Sequence, residues 1–92
     1  MSAPLQAPSV SSAGALRSLT ELRLGEQGVV DSIDLPEGDS RRLMELGFLP
    51  GAQIQYVRRS PFGDPRVFLV DGSEMALRRE TALHILLLPS QR

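Results

Sequence analysis

From Leu19 onward the apolar positions come in short runs, and the period changes from run to run. "VVDSIDL" puts Val29, Asp31, Ile33 and Leu35 on one face of an extended strand and Val30, Ser32 and Asp34 on the other. That imperfect alternation suits a curved barrel strand better than a flat sheet. "AQIQYVRR" alternates cleanly, with Ile54 and Tyr56 opposed to Gln53, Gln55 and Val57. "RVFLVDG" is apolar on both sides, Phe68 and Val70 against Val67 and Leu69. One of those pairs faces a core; the other is either covered or offered to a partner. A short strand around Met75 to Leu77 and a closing strand from His84 to Leu88 follow.

Turn chemistry fills the gaps. Thr20 is placed to cap a short turn over "ELRL", with Glu21 at the positive end of its dipole. Asp39 or Ser40 is placed to cap a helix in which Leu43 and Leu46, three apart, share the core-facing stripe. Gly47 stands where a left-handed residue ends a helix, because glycine enters that region without a Cβ clash. Phe48 then folds back on the last turn, and Pro50 and Gly51 turn the chain into the next strand. "SPFGDP" reads as a hairpin connection and Arg79 to Leu83 as a helical turn.

Five short strands joined tightly predict a small closed β-barrel, since closure removes exposed edges. The class is mainly β, with one short α-helix and one or two helical turns. Residues 1–18, rich in Pro, Ser and Ala, read as a flexible tail. Residues 19–89 read as the domain and 90–92 as a short C-terminal tail.

The totals narrow the function. Ninety-two residues suit one small domain, and 41% apolar with 23% charged is ordinary for a globular chain. Without cysteine, disulfides and thiolate metal sites are excluded. The basic residues are ten arginines, set against eleven acids, and the net charge of -1 argues against a dedicated nucleic-acid binder. No apolar run approaches the roughly 18 residues of a membrane span, and the opening lacks the pattern of a secretory signal.

Three segments, "RRLMELGFLPG", "RRSPFGDP" and "DGSEMALRRETA", fall in an order and spacing that resembles the FeoA family, ferrous iron transport protein A. The resemblance runs from about Leu19 to Leu88. Its structural signature falls on Leu43, Leu46, Gly47, Phe48, Pro50, Gly51, Asp64, Pro65, Gly72, Leu77, Arg78 and Ala82. It implies an SH3-like barrel in a cytoplasmic protein of iron homeostasis and transition-metal transport. The implied partner is the cytoplasmic G-protein part of the FeoB ferrous iron transporter, which recruits the domain to the membrane without embedding it. The same module occurs C-terminally in iron-dependent repressors; the expectation here is a stand-alone domain. The alternative is a free-standing regulatory SH3-like domain that binds another protein or a nucleic acid.

Chemistry within the chain points to binding and not to turnover. His84 is the only histidine and reads as structural, so no metal site and no cofactor are expected, and ferrous iron binding by the isolated domain is weak at most. Glu74 and Glu80 lie where they approach each other across a turn, as a solvated pair. No nucleophile elbow is present, and without lysine there is no P-loop, so no enzyme and no small-molecule substrate are expected. Arg58 and Arg59 are strand neighbours and point to opposite faces, which weakens a nucleic-acid patch. Phe62 sits at a hairpin tip with Val67 and Leu69 beside it and Arg58 or Arg66 on the flank. An apolar anchor with arginine around it suits a partner-docking surface.

Overall fold

The computed structural model describes residues 16–89; the tail expected at 90–92, and all but the last three residues of the tail expected at 1–18, lie outside them. In chain order the elements are β1 (Arg17–Ser18), a 3-10 turn (Leu19–Glu21), β2 (Gln27–Ile33), α1 (Glu37–Glu45), β3 (Gln53–Arg59), β4 (Arg66–Val70), β5 (Ser73–Leu77), α2 (Arg79–Ala82) and β6 (Ile85–Leu87). The strands form one antiparallel sheet in the order β1-β6-β2-β3-β4-β5. This is the mainly β class read from the sequence, with six strands in place of five. The added strand brings Arg17 and Ser18 into the sheet ahead of Leu19, where the domain was expected to start.

Full closure was also expected, and the backbone ladder does not supply it. β1 and β5 stand at opposite ends of the strand order and do not pair. The gap between them is spanned by a side chain: the Arg66 guanidinium on β4 donates to the Thr20 carbonyl at 2.9 Å, while α2 packs beside the 3-10 turn.

The interior is built from Phe48, Phe68, Leu19, Ile54, Ile85 and Leu87, all fully buried. β2 reaches this core on two residues of unlike parity. Its register against β6 shifts between Val30 and Ser32, a bulge that turns both Val30 and Ile33 inward. The two faces assigned to Val29–Leu35 from that imperfect alternation are broken at this bulge.

Two caps differ from expectation. Ser18, not Thr20, caps the first turn: its hydroxyl accepts from the Thr20 N–H at 2.9 Å, and the Glu21 carboxylate accepts from the Ser18 N–H at 3.1 Å. "SLTE" is the capping-box spacing, and it satisfies two otherwise orphaned donors. α1 begins earlier than Asp39 or Ser40. It follows Pro36 with no side-chain cap, and Glu37 and Asp39 occupy its first turn, where the dipole favours acids.

The end of α1 is a Schellman turn. The Gly47 N–H donates to the Met44 carbonyl at 3.0 Å and the Phe48 N–H to the Leu43 carbonyl at 3.1 Å, with Gly47 at φ 112°. The turn drives Phe48 into the core and leaves Leu46 42% exposed. Leu46 is therefore not a core residue; Leu43 and Phe48 carry the stripe assigned to it.

Candidate protein-docking surface

Phe68 and Val70 are the β4 pair that faces the core, so Val67 and Leu69 lie on the outer face, each half-buried. The pairing register sets Val67 opposite Arg58 and Ala76, and Leu69 opposite Gln55 and Glu74. Phe62 stands beyond the end of the β3–β4 hairpin and is 95% exposed. The connection that carries it is closed by two backbone bonds, Ser60 N–H to the Pro65 carbonyl at 3.2 Å and Gly63 N–H to the Ser60 carbonyl at 2.9 Å. Its Asp64–Pro65 peptide is cis, and the Asp64 carboxylate accepts from the Arg79 N–H at 2.8 Å, tying the tip to α2.

The two flanking arginines have different surroundings. Arg58 forms an ion pair with Glu74 across β4, on the outer face. Glu74 is thus engaged with a cation and not with Glu80. Arg66 is turned the other way. Its guanidinium lies over the Tyr56 ring, 5.3 Å from the centroid, and the Tyr56 ring in turn tilts against Phe68 at 5.3 Å. With its bond to Thr20, Arg66 is a structural residue and does not flank an exterior strip as the sequence suggested. Arg59 pairs in register with Arg66 and is exposed.

The strip continues past the residues named from the sequence. An open cleft of about 520 Å³ lies between the β2–β3–β4 outer face and the corner after α1. Leu49 and Leu69 supply its apolar contacts, and Gln27, Gln53 and Gln55 its amides. Leu49 is 49% exposed. The available signal was the "FL" pair after Gly47: once the Schellman turn buries Phe48, the next side chain points out.

The remaining signature residues serve the scaffold. Leu43, Leu77 and Ala82 are buried, while Pro50 and Gly51 shape the corner, Gly51 donating to the Val30 carbonyl at 2.8 Å. Asp71 (φ 51°) and Gly72 (φ 78°) make the two-residue turn from β4 to β5. The Arg78 carbonyl accepts from the Thr81 and Ala82 N–H groups at the start of α2, leaving its side chain exposed.

Titratable chemistry is sparse. Glu26 has its pKa lowered, first by the hydrogen bond from the Arg23 N–H (2.8 Å) and then by the Arg17 guanidinium (3.3 Å). His84 is half-buried just before β6, its carbonyl accepting from the Asp34 N–H at 2.8 Å. Among the described residues no three His, Asp or Glu side chains gather as metal ligands, and no helix is long and apolar enough to cross a membrane.

A curved, six-stranded antiparallel sheet with two short helices places the chain among small domains of the SH3-like kind. The FeoA domain model matches residues 17–89, and the chain belongs to the FeoA family. A Porphyromonas gingivalis protein described as a fusion of Fe(2+) transport protein A and the Fe(2+) transporter FeoB is 33% identical over 67 residues. That match covers 73% of this chain and 8% of the fusion protein, so the chain spans a small part of that relative. The solution structure of Chlorobium tepidum FeoA superposes with a TM-score of 0.73 at 32% identity, covering 82% of this chain and 72% of that one. Zinc-complexed FeoA from Stenotrophomonas maltophilia, described as a prokaryotic SH3 domain protein, gives 0.67 at 36% identity over 76% and 87%.

Proposed function

We propose that this domain is a cytoplasmic accessory subunit of ferrous iron uptake that acts by docking on the cytoplasmic G-protein part of a FeoB-type transporter. The observation that carries the reading is the relative in which a FeoA part and FeoB form one polypeptide. Domains joined in one chain in one organism commonly meet as separate chains in another. The docking face is the outer side of the β3–β4 hairpin: Phe62 as anchor, Val67 and Leu69 as the apolar strip, and Arg58 on the rim. A phenylalanine 95% exposed gains about 1.5–3 kcal/mol when fully buried, which is the scale of an interface hot spot. The chain itself turns nothing over; its effect on transport runs through contact.

Titration of the labelled domain with the transporter's soluble G domain tests this reading. Phe62→Ala and Leu69→Asp each weaken binding by about tenfold or more, with unchanged circular dichroism. Shift perturbations confined to other faces, or no binding at all, would sink the reading.

A further inference from the structure

The described residues begin at Leu16, and the sheet register fixes the direction from which the chain arrives there. β1 runs antiparallel to β6, and β6 antiparallel to β2. Going back from Ser18 through Arg17 to Leu16 therefore heads toward the Gln27 end of β2. One step along the ladder from the Arg17–Leu87 pair, Leu16 comes level with Leu88, whose N–H donates to the Val29 carbonyl at 2.9 Å. Val29 in turn pairs with Gln53. Leu87, Val30 and Ile54 face the core, so by alternation Leu16, Leu88, Val29 and Gln53 form a row across the outer face.

That row gives two exposed leucines, Leu16 and Leu88, a shared surface. It ends in the open cleft of about 520 Å³ that holds Leu49, Leu69 and the three glutamines. From β1 to β3 is three strand spacings, about 14 Å, a span that about five extended residues cross. Residues 1–15 precede Leu16, so about ten remain to lie in the cleft.

The cleft and that stretch match in chemistry. Leu49 and Leu69 make an apolar floor, the walls carry primary amides, and Asp71 is the one charged residue in the lining. Gln55 donates to the Gly25 carbonyl at 3.1 Å, whereas Gln27 and Gln53 make no side-chain hydrogen bond among the described residues. Amide side chains donate and accept without charge, which suits a neutral peptide backbone. "MSAPLQAPSVSSAGA" has no charged side chain, and Leu5 and Val10 are its branched apolar residues. Pro4 and Pro8 fix φ, which reduces the entropy lost on binding, and they leave the backbone carbonyls free to accept. Attachment then selects this segment over a free one. A site about 14 Å from the point of attachment meets the tethered segment at roughly millimolar effective concentration, against which a free peptide of like chemistry has to compete.

We infer that the outer-face cleft is a docking site for this chain's own Leu5–Val10 segment. Its apolar side chains rest on the Leu49–Leu69 floor, and its carbonyls accept from the Gln27 and Gln53 amides. Leu69 also belongs to the strip proposed for the transporter, but this contact lies within one chain and stands without that partner.

Paramagnetic broadening in the full chain tests it. The chain has no cysteine, so Ser2→Cys carries a single nitroxide label three residues before Leu5. The label broadens the side-chain amide signals of Gln27, Gln53 and Gln55 and the methyl signals of Leu49 and Leu69, and it spares Leu77 and Leu83 beside α2. Leu5→Asp, which alters no residue of the six strands, abolishes this pattern, and so does Leu49→Asp. When labelled chains are mixed with isotope-enriched chains that carry no label, the enriched chains stay sharp. Broadening spread evenly over the sheet, or centred on the groove between α1 and β5, overturns the inference. So does a pattern that survives Leu5→Asp. Broadening in the mixed sample overturns it as well, since the contact would then join two copies.

Discussion

Phe48 contributes to stability in proportion to how completely the turn after α1 hides it. It is fully buried, its N–H is bonded to the Leu43 carbonyl, and the ring joins the core beside Leu43. Phe48→Ala leaves a cavity and costs about 3–5 kcal/mol. Leu46→Ala, two residues away and 42% exposed, costs under about 1 kcal/mol, as surface truncations do. Urea denaturation of the two variants checks the contrast, and equal losses would contradict the packing described. Glu26 makes a second prediction at this scale. Its pKa is depressed on folding, chiefly by the Arg23 N–H, so the ionised form is the one that stabilises. Its contribution is present above the unfolded-state pKa and disappears as the pH falls through the lower folded value. Glu26→Gln is therefore less stable than the parent at neutral pH, and the difference narrows to nothing in acid. Denaturation midpoints measured across the acid range read this directly.

At the scale of elements, local chemistry was legible wherever it is fixed by nearest neighbours. The helix stop at Gly47, the hairpin from Ser60 to Pro65 and the inward pairs Ile54/Tyr56 and Phe68/Val70 follow from residues within a few positions of each other. The bulge in β2 does not. Val29 to Leu35 reads as an imperfect alternation suited to a curved strand, and only pairing with β6, more than fifty residues later, shows that Val30 and Ile33 both turn inward. β1 was missed for the same reason: two residues carry no periodicity, and Arg17–Ser18 becomes a strand only because Leu86 and Leu87 lie alongside. The proposed docking strip was half legible in the sequence. Phe62, Val67 and Leu69 could be named from the hairpin pattern. Arg66 could not be assigned a face until the Tyr56 ring and the Thr20 carbonyl were seen to hold it.

Across the whole molecule, the absence of a β1–β5 ladder makes Arg66 the clasp between the two ends of the sheet. Its guanidinium is half-buried, and a hydrogen bond from a charged donor in that setting is worth about 1.5–3 kcal/mol, with a further 0.5–1 kcal/mol or so from the Tyr56 ring. Arg66→Met keeps most of the apolar stem and removes both interactions. The loss is not spread evenly. Strands β2, β3 and β4 are each hydrogen-bonded on two sides and do not depend on the clasp. The segment from Arg17 to Leu22 is held by the short β1–β6 pairing, the Ser18 capping box and Arg66. Removing the clasp therefore lowers the free energy of local opening at that segment before it touches global stability. In Arg66→Met, hydrogen exchange accelerates at Ser18 to Leu22 by about tenfold or more, the rate equivalent of 1.4 kcal/mol, while amides of β3 and β4 follow only the smaller change in global stability. Uniform acceleration across all strands would show instead that the barrel opens as one unit and that the clasp is no more local than any other contact.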